Sequence, residues 1–93
     1  MPQRRTILFS GRVQGVGFRL TAIHCAHDLP LTGTVRNVPD GSVELIVDGT
    51  PADIDTLIAR LREHFAGLIR NVSEQSSEAP APTGHGKGIQ IIH

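Results

Sequence analysis

The stretch from Leu31 to Gly49, LTGTVRNVPDGSVELIVDG, decides the fold. Within SVELIVDG, Val43, Leu45 and Val47 alternate with Glu44 and Asp48, the period-two pattern of a strand with one buried face. LTGTVRNV before it, Leu31 to Val38, reads as another strand. Between the two, Pro39-Asp40-Gly41 carries an Asp-Gly pair that can supply the positive backbone angles of a tight turn. The two strands are therefore expected to be antiparallel neighbours with one apolar face to cover.

Elements on both sides can cover it. Downstream, Thr50-Pro51-Ala52-Asp53 has the parts of a helix start: an oxygen to accept orphan amide protons, a proline at the first helical position, and an acid near the positive dipole end. Ile54, Leu57, Ile58, Leu61 and Phe65 then form one apolar stripe that ends near Gly67. Upstream, Ala22, Ile23, Ala26 and Leu29 recur at helical spacing, which predicts a helix from Phe18 to Leu29 stopped by Pro30. RRTILFS, Arg4 to Ser10, reads as a first strand with Ile7 and Phe9 on one side. LIRNVSEQS reads as a fourth strand and GIQII as a short fifth, and the Pro/Gly-rich APAPTGHGKG between them reads as a mobile loop. The order strand, helix, strand, strand, helix, strand is the ferredoxin-like split βαβ pattern. It predicts an α+β sandwich with an antiparallel sheet of four to five strands and two helices on one face.

Bulk properties narrow the function. A chain of 93 residues is the size of one domain, so residues 1–93 are read as a single unit built on one core. Lys plus Arg equals Asp plus Glu at nine each, which leaves no broad basic field for nucleic acid or an anionic membrane. Three Phe and no Tyr or Trp offer few surfaces on which bases could stack. The lone Cys25 has no internal disulfide partner and sits among Ala22, Ile23 and Ala26 as a small core residue would. The opening MPQRRTILFS lacks the apolar run of a signal peptide or membrane helix, so a cytoplasmic location is expected. His24 and His27 share one helical face, but no matching Cys/His pair lies elsewhere to complete a metal site; His64, His85 and His93 are read as surface groups.

The chemistry points to Gly11-Arg12-Val13-Gln14-Gly15-Val16-Gly17-Phe18-Arg19, a glycine-punctuated turn between a strand and a helix start. Glycines let successive backbone N–H groups turn inward, and a helix start adds unsatisfied amide protons and partial positive charge. Arg19 adds a planar fork that matches two phosphoryl oxygens. A plain connection with strain-relieving glycines and a solvated Arg19 fits the residues equally well. No Gly-Lys-Ser/Thr follows, so this is not a Walker loop, and Leu20 occupies the third glycine position of the dinucleotide pattern. Asn37 by itself reads most simply as a strand-end residue serving the turn after it. Arg36 reads as a solvated strand residue, and Asp40 as a turn former.

GRVQGVGFR followed by LTGTVRNVPDGSVELIVDG resembles the two signature segments of the acylphosphatase family, in order and at the right separation. The resemblance extends over nearly the whole chain. It implies an enzyme that hydrolyses the carboxyl-phosphate bond of acyl phosphates without metal or cofactor. Arg19 would bind the phosphoryl group, the backbone of Gln14, Gly15, Val16, Gly17 and Phe18 would cradle it, and Asn37 would hold the attacking water. The implied partners are a small-molecule acyl phosphate and inorganic phosphate, with no nucleic acid or membrane, and the expected state is a monomer.

Those assignments make chemical sense. Phosphoryl transfer is served chiefly by positioning and charge stabilisation, so no nucleophilic side chain is obligatory. The leaving carboxylate is stable near neutrality, because carboxylic acids titrate around ~4, and needs no general acid. The sequence departs from the family pattern at Thr34, where the segment normally reads G-W-V-R-N, and in GIQIIH, which only loosely matches an aromatic-containing last strand. Two other readings use the same fold: a non-catalytic anion-binding or regulatory module, and a domain of the kind attached to larger maturation enzymes that handle a carbamoyl-phosphate-type substrate.

Overall fold

The computed structural model of the chain describes residues 2–78 and 88–93. The elements run β1 Gln3–Gly11, α1 Phe18–Ala26, β2 Thr32–Asn37, β3 Val43–Gly49, α2 Pro51–His64, β4 Ile69–Glu78 and β5 Gly88–Ile91. The five strands form one sheet in the order β4-β1-β3-β2-β5. The loop expected between the last two strands falls on residues outside those described.

The alternation in β3 behaves as its sequence implies. Leu45 pairs with Ile7 of β1 on one side and Val35 of β2 on the other, and all three are fully buried. Their face of the sheet also carries Phe9, Val43 and Val47, and it packs against Ala22, Ala26, Ile54, Leu57 and Leu61 of the two helices in a single core. Among the described residues no helix covers the opposite face. There Arg4 forks onto Asp48 at 2.8 and 2.9 Å, and Arg36 donates to Glu44 at 2.8 Å, so Arg36 is a cross-strand ion-pair partner. Thr34 pairs with Ile46 on this open face, so the departure noted there lies on the side of β2 away from the core.

Arg5 shares the inner face with Ile7, although it is charged. Its guanidinium donates to Asp55 of α2 at 2.6 Å, to Gln3 at 2.7 Å and to Glu74 of β4 at 3.2 Å. A buried cation is tolerable only with such partners.

Three expectations need correction. The sheet is antiparallel from β4 through β2, but β5 joins β2 in parallel, so the whole sheet is mixed. Helix α1 stops at Ala26 rather than Leu29. The chain then unwinds through short-range bonds from Leu29 N–H to Ala26 O at 3.0 Å and Leu31 N–H to Leu29 O at 2.8 Å, before and across Pro30. In the β2–β3 turn Gly41 alone has a positive φ, at 97°, while Asp40 contributes its side chain. Its Oδ1 accepts from Ser42 N–H at 2.9 Å and from Ser42 Oγ at 2.6 Å. Those bonds, the hydroxyl's first, hold the Asp40 carboxyl below the usual carboxylate range. A carboxylate lowered in this way braces the turn at neutral pH, and the bracing is lost only as pH falls through the lowered value.

Helix α2 follows its start signals closely. Thr50 is the N-cap and accepts from Asp53 N–H at 3.3 Å, with Pro51 opening the helix. Cys25 is partly buried against the core, and burial pushes its thiol pKa up, away from reactivity.

Leu45→Ala should cost about 2–5 kcal/mol, the range for truncating a buried leucine, because no neighbouring strand can move in to fill the gap. Leu8→Ala, on the open face, should change stability by no more than about 0.5 kcal/mol. Urea unfolding of both variants checks the assignment of faces.

Candidate active site

The link between β1 and α1 crosses the end of the sheet. It is held at its base by Arg12 N–H, which donates to Leu68 O at 2.8 Å, and by the buried side chains of Val13 and Phe18. Gly15 and Gly17 both have positive φ, at 77° and 80°. Gly17 is also the N-cap of α1, and glycine has no side chain with which to cap the helix. Thr21 N–H, bonded to Gly17 O at 3.0 Å, is the first amide of α1 to find an acceptor. Among the described residues, the amides of residues 15–20 have none.

The contrast with α2 is physical. Helix α2 begins with a threonine oxygen and carries Asp53 in its first turn, so its positive end is compensated. The first turn of α1 has no acidic residue and no side-chain cap. An uncapped helix start with free N–H groups and uncompensated dipole is a ready anion site.

Arg19 lies in that first turn. Arg4, Arg5, Arg36 and Arg60 each meet a carboxylate, at 2.8, 2.6, 2.8 and 2.6 Å. Among the described residues Arg12, Arg19, Arg62 and Arg70 meet none, and of these four only Arg19 lines a cavity of about 440 Å³, together with Gly15, Gly17, Phe18 and Asn37. Asn37 reaches this cavity through strand parity. It ends β2 opposite the buried Val43 and two residues beyond the buried Val35, so it faces the helices. Its carboxamide has no hydrogen-bond partner among the described residues, so it is not consumed by the turn that follows.

Of the residues singled out in the sequence, Gln14 and Val16 do not line the cavity. Val16 is exposed, and the Gln14 carboxamide donates away from the cavity, to Val38 O at 2.8 Å and Ser42 O at 2.9 Å.

Four lining residues lie outside the site assigned from the sequence: Val13, which begins the same loop, and three others. Leu20 stands in the first turn of α1 and is 61% exposed, and Ile91 and His93 come from the end of the chain. The last two arrive because β5 is parallel to β2. Ile91 pairs with Val35 and Ile92 N–H donates to Val35 O at 3.0 Å, which carries His93 alongside Asn37. The Ile89/Ile91 alternation was a signal that both share a face, but nothing in it named the neighbouring strand. His93 is exposed as expected of a surface residue, yet it belongs to the cavity wall.

The described lining residues include no Asp, Glu, Ser, Cys or Lys. The cavity can hold and orient an anion, and among the described residues its lining presents no carboxylate, hydroxyl, thiol or amine, only the imidazole of His93. Exposed His24 and His27 gather no third ligand among the described residues.

Known proteins are similar to this chain in sequence and in fold. The acylphosphatase family model matches residues 5–89. An acylphosphatase of Paenarthrobacter aurescens (strain TC1) is 44% identical over 90 residues, covering 96% of this chain and 93% of that protein. The crystal structure of acylphosphatase from Bacillus subtilis is 30% identical and superposes with a TM-score of 0.83, covering 100% of each chain. The crystal structure of T. kodakarensis HypF is also 30% identical, with a TM-score of 0.74, but this chain spans 96% of its own length and only 11% of that one. With the ferredoxin-like sheet, both signature segments and near-complete coverage in agreement, the chain belongs to the acylphosphatase family.

Proposed function

We propose that this protein hydrolyses acyl phosphates to a carboxylate and inorganic phosphate, with Arg19 and Asn37 as its catalytic residues. The observation that carries the proposal is the meeting, in one cavity, of a helix start with free amides, an arginine without a carboxylate partner and an uncommitted carboxamide. On this reading residues 1–93 form one domain that works as a monomer in the cytoplasm. Its ligands are a small-molecule acyl phosphate and inorganic phosphate, and no nucleic acid, membrane, metal or cofactor is called for. No helix among the described residues is long and apolar enough to cross a membrane.

The chemistry follows from the geometry. The phosphoryl group sits in the cradle formed by the backbone of residues 14–18, its oxygens accepting from free N–H groups, and the Arg19 guanidinium donates to two of them. Charge-assisted bonds of this kind are about twice as strong as neutral ones. Both sets of donors are fixed before substrate arrives, so they stabilise charge on the transferring phosphoryl group without reorganising. Asn37 holds a water through its carboxamide and presents it to phosphorus opposite the leaving group. The water oxygen bonds to phosphorus, the P–O bond to the acyl group breaks, and the electron pair leaves with the carboxylate. The water's proton passes to a phosphoryl oxygen of the substrate, which is consistent with the absence of a carboxylate base among the described lining residues.

Leu20 and Ile91 add an apolar wall where the acyl portion would lie. A non-catalytic anion module would need only the cradle and Arg19; the free Asn37 carboxamide facing the same cavity favours turnover.

Purified protein should hydrolyse benzoyl phosphate at an unchanged rate in the presence of a chelator, and loss of activity on chelation would contradict the metal-free mechanism. Arg19→Ala should abolish most phosphate affinity along with turnover. Asn37→Ala should lower kcat by roughly 10² to 10³, the cost of losing one preorganised polar group, while the competitive inhibition constant of inorganic phosphate stays close to the parent value. Steady-state kinetics with phosphate as inhibitor separates the two roles.

A further inference from the structure

The Gln14 carboxamide spends both of its N–H bonds outside the cavity. Nε2 donates to Val38 O at 2.8 Å and to Ser42 O at 2.9 Å. These two carbonyls frame the β2–β3 turn, and Val38 directly follows Asn37. Among the described residues no other side chain of the β1–α1 loop makes a hydrogen bond to the rest of the protein, so Gln14 is the loop's one side-chain tether, beside the backbone bond from Arg12 N–H to Leu68 O at its base.

The loop needs a tether at that point. Val13 and Phe18 anchor its two ends by burial, at 1% and 2% exposed. Between them Gly15 and Gly17 stand in open space, with no heavy atom within 4 Å of where a Cβ would lie. Packing therefore does not fix the middle of the cradle relative to β2.

We propose that Gln14 is a positioning residue: it clamps the phosphate cradle to the backbone just beyond Asn37 and so sets the distance between the bound phosphorus and the water-holding carboxamide. This rests on the roles given above to Arg19 and Asn37. Gln14 acts through Asn37 and its side chain makes no contact with substrate. The expected signature is a kcat effect, because phosphate is held by groups on the cradle side of the clamp alone. Misplacing reacting groups by about 1 Å can cost up to roughly a hundredfold in rate.

Gln14→Met keeps the length of the side chain and removes its donors. It orphans neither carbonyl, since Val38 O still accepts from Gly41 N–H at 3.0 Å and Ser42 O from Val38 N–H at 2.8 Å. The variant should therefore fold, with a urea midpoint near the parent's. With benzoyl phosphate its kcat should fall between about tenfold and about a hundredfold. The inhibition constant of inorganic phosphate should stay within about twofold, the scatter expected of uncoupled sites. Introduced on top of Asn37→Ala, the same change should lower kcat by less than about twofold, because no carboxamide remains to be positioned.

A second variant, Gln14→Glu, sets a carboxylate against the same two carbonyls. Its kcat relative to the parent should be lowest at neutral pH and recover in acid, where the protonated group can donate one hydrogen bond again. An equal kcat loss from Gln14→Met with and without Asn37 overturns the proposal, as does a phosphate inhibition constant that rises in step with the kcat loss, or an unchanged kcat. If Asn37→Ala alone leaves kcat at the parent value, the role of Asn37 falls and the clamp with it. If Asn37→Ala is impaired but uncoupled from Gln14, the clamp alone falls.

Discussion

Side chains on a strand alternate between faces, so the pairing of Leu45 with Ile7 on one side and Val35 on the other fixes which residues of three strands look toward the helices. Every later feature depends on that register. Asn37 lies two residues beyond Val35 and inherits its face; a slip of one residue would turn it to the open face and leave Arg36 in its place. The buried Val35 makes such a slip costly, since it would turn that side chain out of the core it forms with Leu45 and Ile7. Apolar burial in the middle of the sheet thus holds a polar carboxamide at its end.

Electrostatics completes the site by leaving selected groups uncompensated. The chain carries no formal net charge, so a positive site must be local. Four of the eight arginines are matched to carboxylates, and of the other four only Arg19 lines the cavity. The three such pairs other than that of the buried Arg5 contribute little stability, but all four leave those cations committed elsewhere. In the cavity the opposite choice is made at two points: Gly17 stands where α2 has a capping threonine, and Arg19 stands without a carboxylate partner among the described residues. The protein leaves there the donors that an anionic ligand can satisfy.

Much of this was legible in the amino-acid order, because the signals were local. The alternation of Val43, Leu45 and Val47, and the Thr50-Pro51 start of α2, each state their own geometry within a few residues. The two segments that supply Arg19 and Asn37 were recognisable for the same reason, and strand parity together with the position of α1 brings them to one cavity. What could not be read depends on partners distant in sequence. Ile89 and Ile91 announce a strand but not that it lies parallel to β2, so the places of Ile91 and His93 in the cavity wall were hidden. Nothing local to Arg5 announces its burial, which becomes understandable only with Asp55 and Glu74 beside it. The Gln14 bonds span 24 and 28 residues and leave no mark on periodicity.

Titration of isotope-labelled protein with inorganic phosphate, followed through its amide resonances, tests the central claim most directly. If the uncapped start of α1 is the anion site, the backbone amides of residues 15–20 and the side-chain resonances of Arg19 and Asn37 will shift together and saturate with one dissociation constant, while the first turn of α2 stays still. Saturable shifts centred on any other part of the chain, with residues 15–20 unmoved, would contradict it.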